Sequence, residues 1–244
     1  MSEAPDRARD EELITPPPPA PRTILLTGLA ITAGALAAAF VLPAWLPGLS
    51  ESLLGPEPKA YWYLSRASGL AAFGLVWLSM VWGVLLTSRA ARQWPGVVSA
   101  GDVHQHVSLL GLGFGLFHGL ILLGDRYANY RLSQILVPFT TSGYRPLWVG
   151  IGQLGFYALA IVALSFYLRP WLSNRAWRTI HLLSFGVYLS ALAHGVLSGT
   201  DSGVPWIRAF YWSSAGLLLF LTIYRILVSR FPPARISLRP TATS

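Results

Sequence analysis

Long apolar stretches separated by short polar segments run through most of the chain. Several of them reach the ~20 residues that an α-helix needs to cross the hydrocarbon core of a bilayer. The pattern predicts six membrane-spanning helices, at residues 23–46, 60–87, 104–124, 146–168, 179–200 and 206–228. In the sixth, only residues 209–224 are uncharged, so Arg208 and Arg225 must extend their side chains to the membrane surface.

Polar sequence flanks these predicted spans. Residues 1–22 contain five acidic residues, three arginines and four consecutive prolines, a composition typical of a disordered tail. The pattern therefore divides the chain into a cytoplasmic tail (1–22), a six-helix transmembrane domain (23–228) and a short basic cytoplasmic tail (229–244). The small residues around Leu36 resemble a signal-peptide processing site, but the long acidic leader favours an uncleaved anchor.

Composition and charge agree with an all-α integral membrane protein. Apolar residues make up 53% of the 244 and charged residues 11%. With a cytoplasmic N-terminus, the six spans place twelve of the eighteen basic residues on the cytoplasmic side, so both termini are predicted to be cytoplasmic in a cell membrane. The net charge of +8 is then explained by topology and anionic headgroups, and no basic cluster alternates with aromatics as a nucleic-acid surface would.

Four histidines inside the predicted spans form two long-spaced pairs. His104 and His118 are fourteen residues apart in the sequence. On an ideal helix their positions therefore differ by ~40° around the helix axis and by about 21 Å along it. His181 and His194 are thirteen apart, or about 20 Å. Because the third and fifth spans run in the same direction, His104 can face His181 and His118 can face His194.

Ionisable groups deep in a membrane span are costly and indicate a functional site. Two facing histidine pairs predict two bis-histidine haem irons, stacked across the bilayer between the third and fifth spans. The chain has no cysteine, which excludes thiolate-ligated haem, covalently attached haem and cysteine-held iron–sulfur clusters. Any haem must therefore be held by histidines and packing, in two copies or, if only His118 and His194 are ligands, in one.

Some features of this interpretation leave alternatives open. On a straight helix His181 and His194 lie roughly 140° apart, so a tilt or a distortion, for which Gly186 offers a place, must compensate. His106 competes with His104 as the inner ligand, although it lies ~120° from His118. The glycines at 111, 113 and 115 indicate close helix packing, or room for a flat macrocycle.

Residues 60–225 resemble the ferric reductase-like transmembrane domain family, the haem module shared with NADPH oxidases and a bacterial methionine sulfoxide reductase membrane subunit. The resemblance rests on the two unequal histidine spacings, on Arg66 to Gly69 (Arg-Ala-Ser-Gly), and on Trp177 to His181 (Trp-Arg-Thr-Ile-His). It implies two b-type haems that pass electrons between the two membrane faces. It also favours Arg66 as a haem-propionate ligand over the alternative, a snorkelling residue beside an aromatic belt.

No flavin- or nicotinamide-binding domain is expected after residue 228, because only a short basic tail follows. The predicted function is a membrane electron conduit, the membrane component of an oxidoreductase, whose partners are a separate flavoprotein reductase, a quinone or an extracytoplasmic redox protein. Residues 125–145 are predicted to cover the bundle mouth, either as a lid that shapes access or as a structural cover. The alternative function is a cofactor-free or metal-binding transporter or assembly subunit.

Overall fold

The structure is a computed structural model that describes residues 59–87 and 97–230, together with Leu29 and Ala33. This described part is helical, and it contains no β-strand. Its helices are α1 (Ala60–Leu86), α2 (Val97–Leu120), the short α3 (Leu132–Leu136), α4 (Pro146–Leu168), α5 (Asn174–Ser198) and α6 (Pro205–Arg230). Single 3₁₀ turns follow α2 (Ile121–Gly124) and α4 (Arg169–Trp171).

Five of these helices are long and apolar enough to cross a membrane: α1, α2, α4, α5 and α6. Large apolar side chains cover their outer surfaces; Leu189 and Phe220, for example, are each 61% exposed. Contact between so much contiguous apolar surface and water is unfavourable, whereas contact with lipid is not. The protein is therefore a multi-pass integral membrane protein built as a helical bundle.

The first predicted span, residues 23–46, lies outside the described residues except for Leu29 and Ala33, which are helical. The count of six spans thus stays a prediction, and so do the tails at 1–22 and 231–244. α6 continues to Arg230, two residues into the predicted C-terminal tail.

Two helices begin before the membrane spans that apolarity predicted. α2 begins at Val97, not at residue 104, and α5 begins at Asn174, not at residue 179. Polar residues form much of the first turns of α5, and Ser173 caps this helix by accepting a hydrogen bond from the backbone N–H of Ala176. His104 and His181 consequently lie about two turns inside their helices instead of near their ends.

The bundle is organised as two helix pairs around a gap. α1 packs along α2, and α4 packs along α5, while α1 also contacts α5 and α6. α2 and α5 make few direct contacts with each other. The buried core lies where α1, α5 and α6 meet, and its largest members are Phe73, Met80, Tyr188, Ile207, Tyr211 and Leu218.

Candidate functional site

The predicted histidine pairs meet in the gap between α2 and α5. The imidazole ring centres of His104 and His181 are 6.0 Å apart, with 63° between the ring planes. Those of His118 and His194 are also 6.0 Å apart, with 79° between the planes. The four histidines thus form two facing pairs, which we call the inner pair (His104, His181) and the outer pair (His118, His194).

A ring separation of 6.0 Å suits one metal ion between two imidazoles. An imidazole nitrogen lies about 2 Å from a transition metal it binds, and about 1 Å from the centre of its own ring. The centres of two imidazole rings that bind one metal ion from opposite sides are therefore roughly 6 Å apart. Within the described residues, no group of three or more His, Cys, Asp or Glu side chains could hold a metal ion. Two ligands per site fit an ion whose other ligands come from a macrocycle.

In the outer pair, backbone carbonyls determine which ring nitrogen is free. His118 Nδ1 lies 2.7 Å from the carbonyl oxygen of Ser65 in α1. His194 Nδ1 lies 2.9 Å from the carbonyl oxygen of Trp148 in α4. Because a carbonyl can only accept, Nδ1–H donates in both cases and Nε2 keeps its lone pair for a metal. This is the arrangement that orients metal-binding histidines in proteins.

In the inner pair, two serines give His104 the same tautomer. Ser108 Oγ donates to the carbonyl oxygen of His104 over 2.7 Å, so Ser79 Oγ must donate to Ser108 Oγ, also over 2.7 Å. Ser79 Oγ then accepts from His104 Nδ1, at 3.3 Å. His181 is held differently: its ring stacks on Trp177, with ring centres 5.1 Å apart and 20° between the planes.

Three of the rings rest on a glycine of the neighbouring helix. A Cβ on Gly69 would lie 2.7 Å from His118 Nδ1, one on Gly152 would lie 2.5 Å from His194 Nδ1, and one on Gly83 would lie 3.1 Å from His104 Cε1. Side chains at these positions would push the rings out of place.

Each glycine follows, by four residues, the residue that accepts the hydrogen bond of the same ring. The pairs are Ser65 with Gly69, Ser79 with Gly83, and Trp148 with Gly152. Residues four apart share one helix face, so one face supplies both the acceptor and the space for the ring. Sequence reasoning missed this, although a signal exists: the two α1 pairs are fourteen residues apart, the same interval as His104 and His118.

The thirteen-residue spacing of His181 and His194 does not require a break in α5. α5 is a continuous α-helix through Gly186, where a Cβ would meet no atom within 4 Å. His194 reaches its partner along α4, where Trp148 and Gly152 receive its ring, whereas His181 lies against Trp177 of its own helix. The two rings therefore leave α5 in different directions, and each still meets a histidine of α2.

The outer pair opens into a cavity of about 300 Å³. This lies at the lower end of the volumes of ligand-binding pockets. The cavity is lined by residues of α1, α2, α4, α5 and α6 and by α3. Two buried polar atoms on its wall, Gln153 Oε1 and Ser198 Oγ, have no hydrogen-bond partner among the described residues. Buried polar atoms of this kind indicate a ligand with polar groups.

The segment at 125–145 covers this cavity. Tyr130, Gln134 and Tyr144 contribute to the cavity wall. The side-chain amide of Gln153 in α4 donates to the carbonyl oxygens of Gln134 and Ile135, both at 2.7 Å. α3 is thereby attached to α4 above the outer pair. The geometry agrees with the predicted cover, and its role in controlling access stays a prediction.

Arg66 lies in the same cavity and is paired with Asp201. Arg66 Nε donates to Asp201 Oδ2 over 2.6 Å, and a second bond joins its Nη2 to Asp201 Oδ1. Sequence reasoning missed this partner, because the two residues are 135 positions apart. Arg66 lines the same cavity as the outer pair, and its role toward a propionate stays a prediction.

His106 takes no part in either pair. Its side chain is exposed on the outside of α2, and its Nδ1 lies 2.7 Å from the carbonyl oxygen of Asp102 one turn earlier. Of the two candidates for the inner position, the structure thus brings His104 to His181. The early start of α2 also places the acidic residue Asp102 inside a helix that is long and apolar enough to cross the membrane.

Comparisons with known proteins define the class no further than a membrane protein. No protein-family model matches the chain, and no solved structure matches it. The chain is similar to a protein described as the efflux pump mokI of Monascus pilosus, with 27% identity over 214 residues. The match covers 82% of this chain and 36% of that protein, so the chain spans little more than a third of its relative's length.

Proposed function

We propose that the protein is a b-type cytochrome that carries electrons across the membrane through two bis-histidine haem sites. The observation that carries the proposal is the meeting of four histidines from α2 and α5 in two pairs, each with ring centres 6.0 Å apart. Three of the rings carry the tautomer that leaves Nε2 free.

A bound haem would supply an iron that accepts and releases one electron without a change of ligands. His104 and His181 would hold the inner iron, and His118 and His194 the outer one. With two histidines holding each iron, external ligands would be excluded and electron transfer would be favoured. Hydrogen bonds from Nδ1 to Ser65, Ser79 and Trp148 orient the rings and would make Nε2 a stronger electron-pair donor to a metal.

Around the outer site, the residues suit the edge of a porphyrin. Arg66, Gln153 and Ser198 bring a guanidinium and two polar atoms without described partners to one cavity. Arg66 would bind a propionate by sharing or exchanging its bond to Asp201. On the inner side, the buried indole N–H of Trp177 beside His181 has no described partner either.

The resemblance of the histidine spacings to the ferric reductase-like family supports the same proposal. Within it, the chain is the membrane component of an oxidoreductase, and electrons come from or go to a separate flavoprotein, a quinone or an extracytoplasmic redox partner. Both termini are proposed to be cytoplasmic.

The proposal is tested by purifying the protein in mild detergent and measuring reduced-minus-oxidised visible spectra with haem counted per polypeptide. We expect two low-spin b-type haems. His118→Ala should remove only the outer one, while His106→Ala, a histidine outside both pairs, should keep two. A protein without haem, after expression with ample haem supply, would contradict the proposal.

Similarity to the efflux pump favours a second candidate, a transporter without cofactor. In that case the histidines would relay protons or bind the transported species. Proton relays usually combine histidine with acidic residues inside the membrane. Within the described helices Asp102 is the one acidic residue. It lies in the first turns of α2, two positions before His104 in the sequence. A haem-free protein with pH-dependent substrate export would support this candidate.

A further inference from the structure

The turn between α4 and α5 exposes a group of arginines and a tryptophan. Arg169, Arg175 and Arg178 are exposed, and the sequence has no acidic residue between positions 146 and 200. Within the part of the chain that the structure describes, no carboxylate forms an ion pair with any of the three. Trp171, in the middle of the turn, is 80% exposed. We call this surface, residues 169–178, the basic turn.

The basic turn is connected to the inner pair by ring contacts. The guanidinium carbon of Arg169 lies 4.8 Å from the ring centre of Trp177. Trp177 stacks on His181 at 5.1 Å, and His181 faces His104 at 6.0 Å. Side chains in contact thus lead from an exposed cation to the inner pair.

We propose that the basic turn is the docking surface for a soluble one-electron donor protein with an acidic face, and that Trp177 provides the contact between that donor and the inner pair. This inference rests on the proposed function. Exposed arginines attract an acidic partner and speed its encounter. Tryptophan and arginine are also the residues that most often dominate binding at protein interfaces.

Anionic lipid headgroups would explain arginines at a membrane surface. They would not explain why one of those arginines covers the tryptophan that stacks on His181. In the transfer itself, a reduced flavin of the donor would lose one electron, and an iron that His104 and His181 would hold would gain it. No covalent bond forms or breaks in the protein.

The test uses the full-length haem-loaded protein in nanodiscs of uncharged phosphatidylcholine, which expose both membrane faces and remove anionic lipid. Photoreduced flavodoxin, an acidic flavoprotein, serves as the probe donor, and haem reduction is followed by stopped-flow absorbance. The variant is Arg175→Gln with Arg178→Gln. The matched control is Arg126→Gln with Arg131→Gln, which removes two exposed arginines that lie between α2 and α4.

At low ionic strength, we expect the second-order rate constant of the basic-turn variant to fall roughly tenfold. The difference should shrink as salt is added, because screening weakens steering. The control pair should keep the wild-type rate. Reduction by dithionite, a small donor that needs no docking surface, should be unchanged in both variants.

Trp177 is tested separately, at flavodoxin concentrations that saturate the rate. Trp177→Leu should lower the saturated rate constant by roughly tenfold, and Trp177→Phe should restore most of it because a ring is retained. Both variants are compared at equal haem content, measured from their spectra, since Trp177 contacts His181.

The outcomes separate the two proposals. A haem-free protein contradicts the proposed function itself. A protein with two haems that dithionite reduces, but whose basic-turn variant keeps the wild-type rate with flavodoxin, overturns the docking surface and leaves the arginines to lipid headgroups. Equal slowing of the variant and the control pair also overturns it, because the effect would then reflect total charge alone.

Discussion

At the scale of single residues, the site depends on what is missing from three helix positions. Gly69, Gly83 and Gly152 leave the space in which histidine rings lie, and the residue four positions earlier accepts each ring's hydrogen bond. Glycine in a helix costs about 1 kcal/mol relative to alanine. At these positions the missing side chain makes room for a histidine ring, so the glycines belong to the candidate site as much as the histidines do.

The different surroundings of Gly152 and Gly186 predict opposite results for their substitution by alanine. In Gly152→Ala, the new Cβ would lie 2.5 Å from His194 Nδ1, so the ring must move and the outer haem should be lost. Gly186→Ala meets no atom within 4 Å, so it should keep both haems and stabilise α5 by about 1 kcal/mol. Haem per polypeptide checks the first expectation and thermal unfolding in detergent the second. Two haems in Gly152→Ala would contradict the packing argument.

At the scale of elements, α3 is the cover of the outer cavity. It has only five residues, too few for a helix to be stable alone, so its position depends on neighbouring contacts. The amide of Gln153 provides two of these contacts, to the carbonyl oxygens of Gln134 and Ile135. Tyr157 adds a hydrogen bond from its hydroxyl to the carbonyl oxygen of Leu136.

Gln153→Leu should therefore loosen α3 while α4 remains intact. Each lost hydrogen bond is worth about 1 kcal/mol, so the two together should raise amide hydrogen exchange at residues 132–137 by roughly tenfold or more. Mass spectrometry of exchanged peptides measures this. Gln105→Leu serves as the control. It removes the side-chain amide of α2 that donates a hydrogen bond to the Tyr167 hydroxyl of α4, away from α3. Unchanged exchange in Gln153→Leu would mean that packing alone holds the cover.

At the scale of the whole molecule, orientation in the membrane decides which histidine pair faces which partner. The predicted topology places the segment between α2 and α4 outside and the C-terminus inside. The chain contains no cysteine, so single introduced cysteines can report their side of the membrane without background labelling.

Tyr127, which is 97% exposed between α2 and α4, is a suitable reporter of the outer face. In intact cells, Tyr127→Cys should react with a membrane-impermeant maleimide. Ser244→Cys, near the predicted cytoplasmic end, should react only after lysis. The reverse labelling pattern would show that the topology is opposite to the predicted one. The basic turn would then lie outside, which would contradict docking of a donor protein from the cytoplasm.

The sequence by itself determined the class of protein and the spacing of its candidate ligands. Apolar length predicted the five spans that the structure describes, and the fixed rise of an α-helix placed the histidines about 20 Å apart on each of two helices. Both follow from local rules. Apolarity could not locate the start of α5, because polar residues also form helical turns, and it could not locate the start of α2, where Asp102 interrupts the apolar sequence.

Tertiary structure decided everything that depends on which helix lies beside which. The packing of α1 against α2 and of α4 against α5 brings Ser65, Ser79 and Trp148 to the rings of three histidines. It also joins Arg66 to Asp201 across 135 residues. Periodicity describes a straight helix alone, so it predicted a conflict of ~140° on α5. Side chains that leave a helix in different directions, toward different neighbours, remove that conflict without breaking the helix.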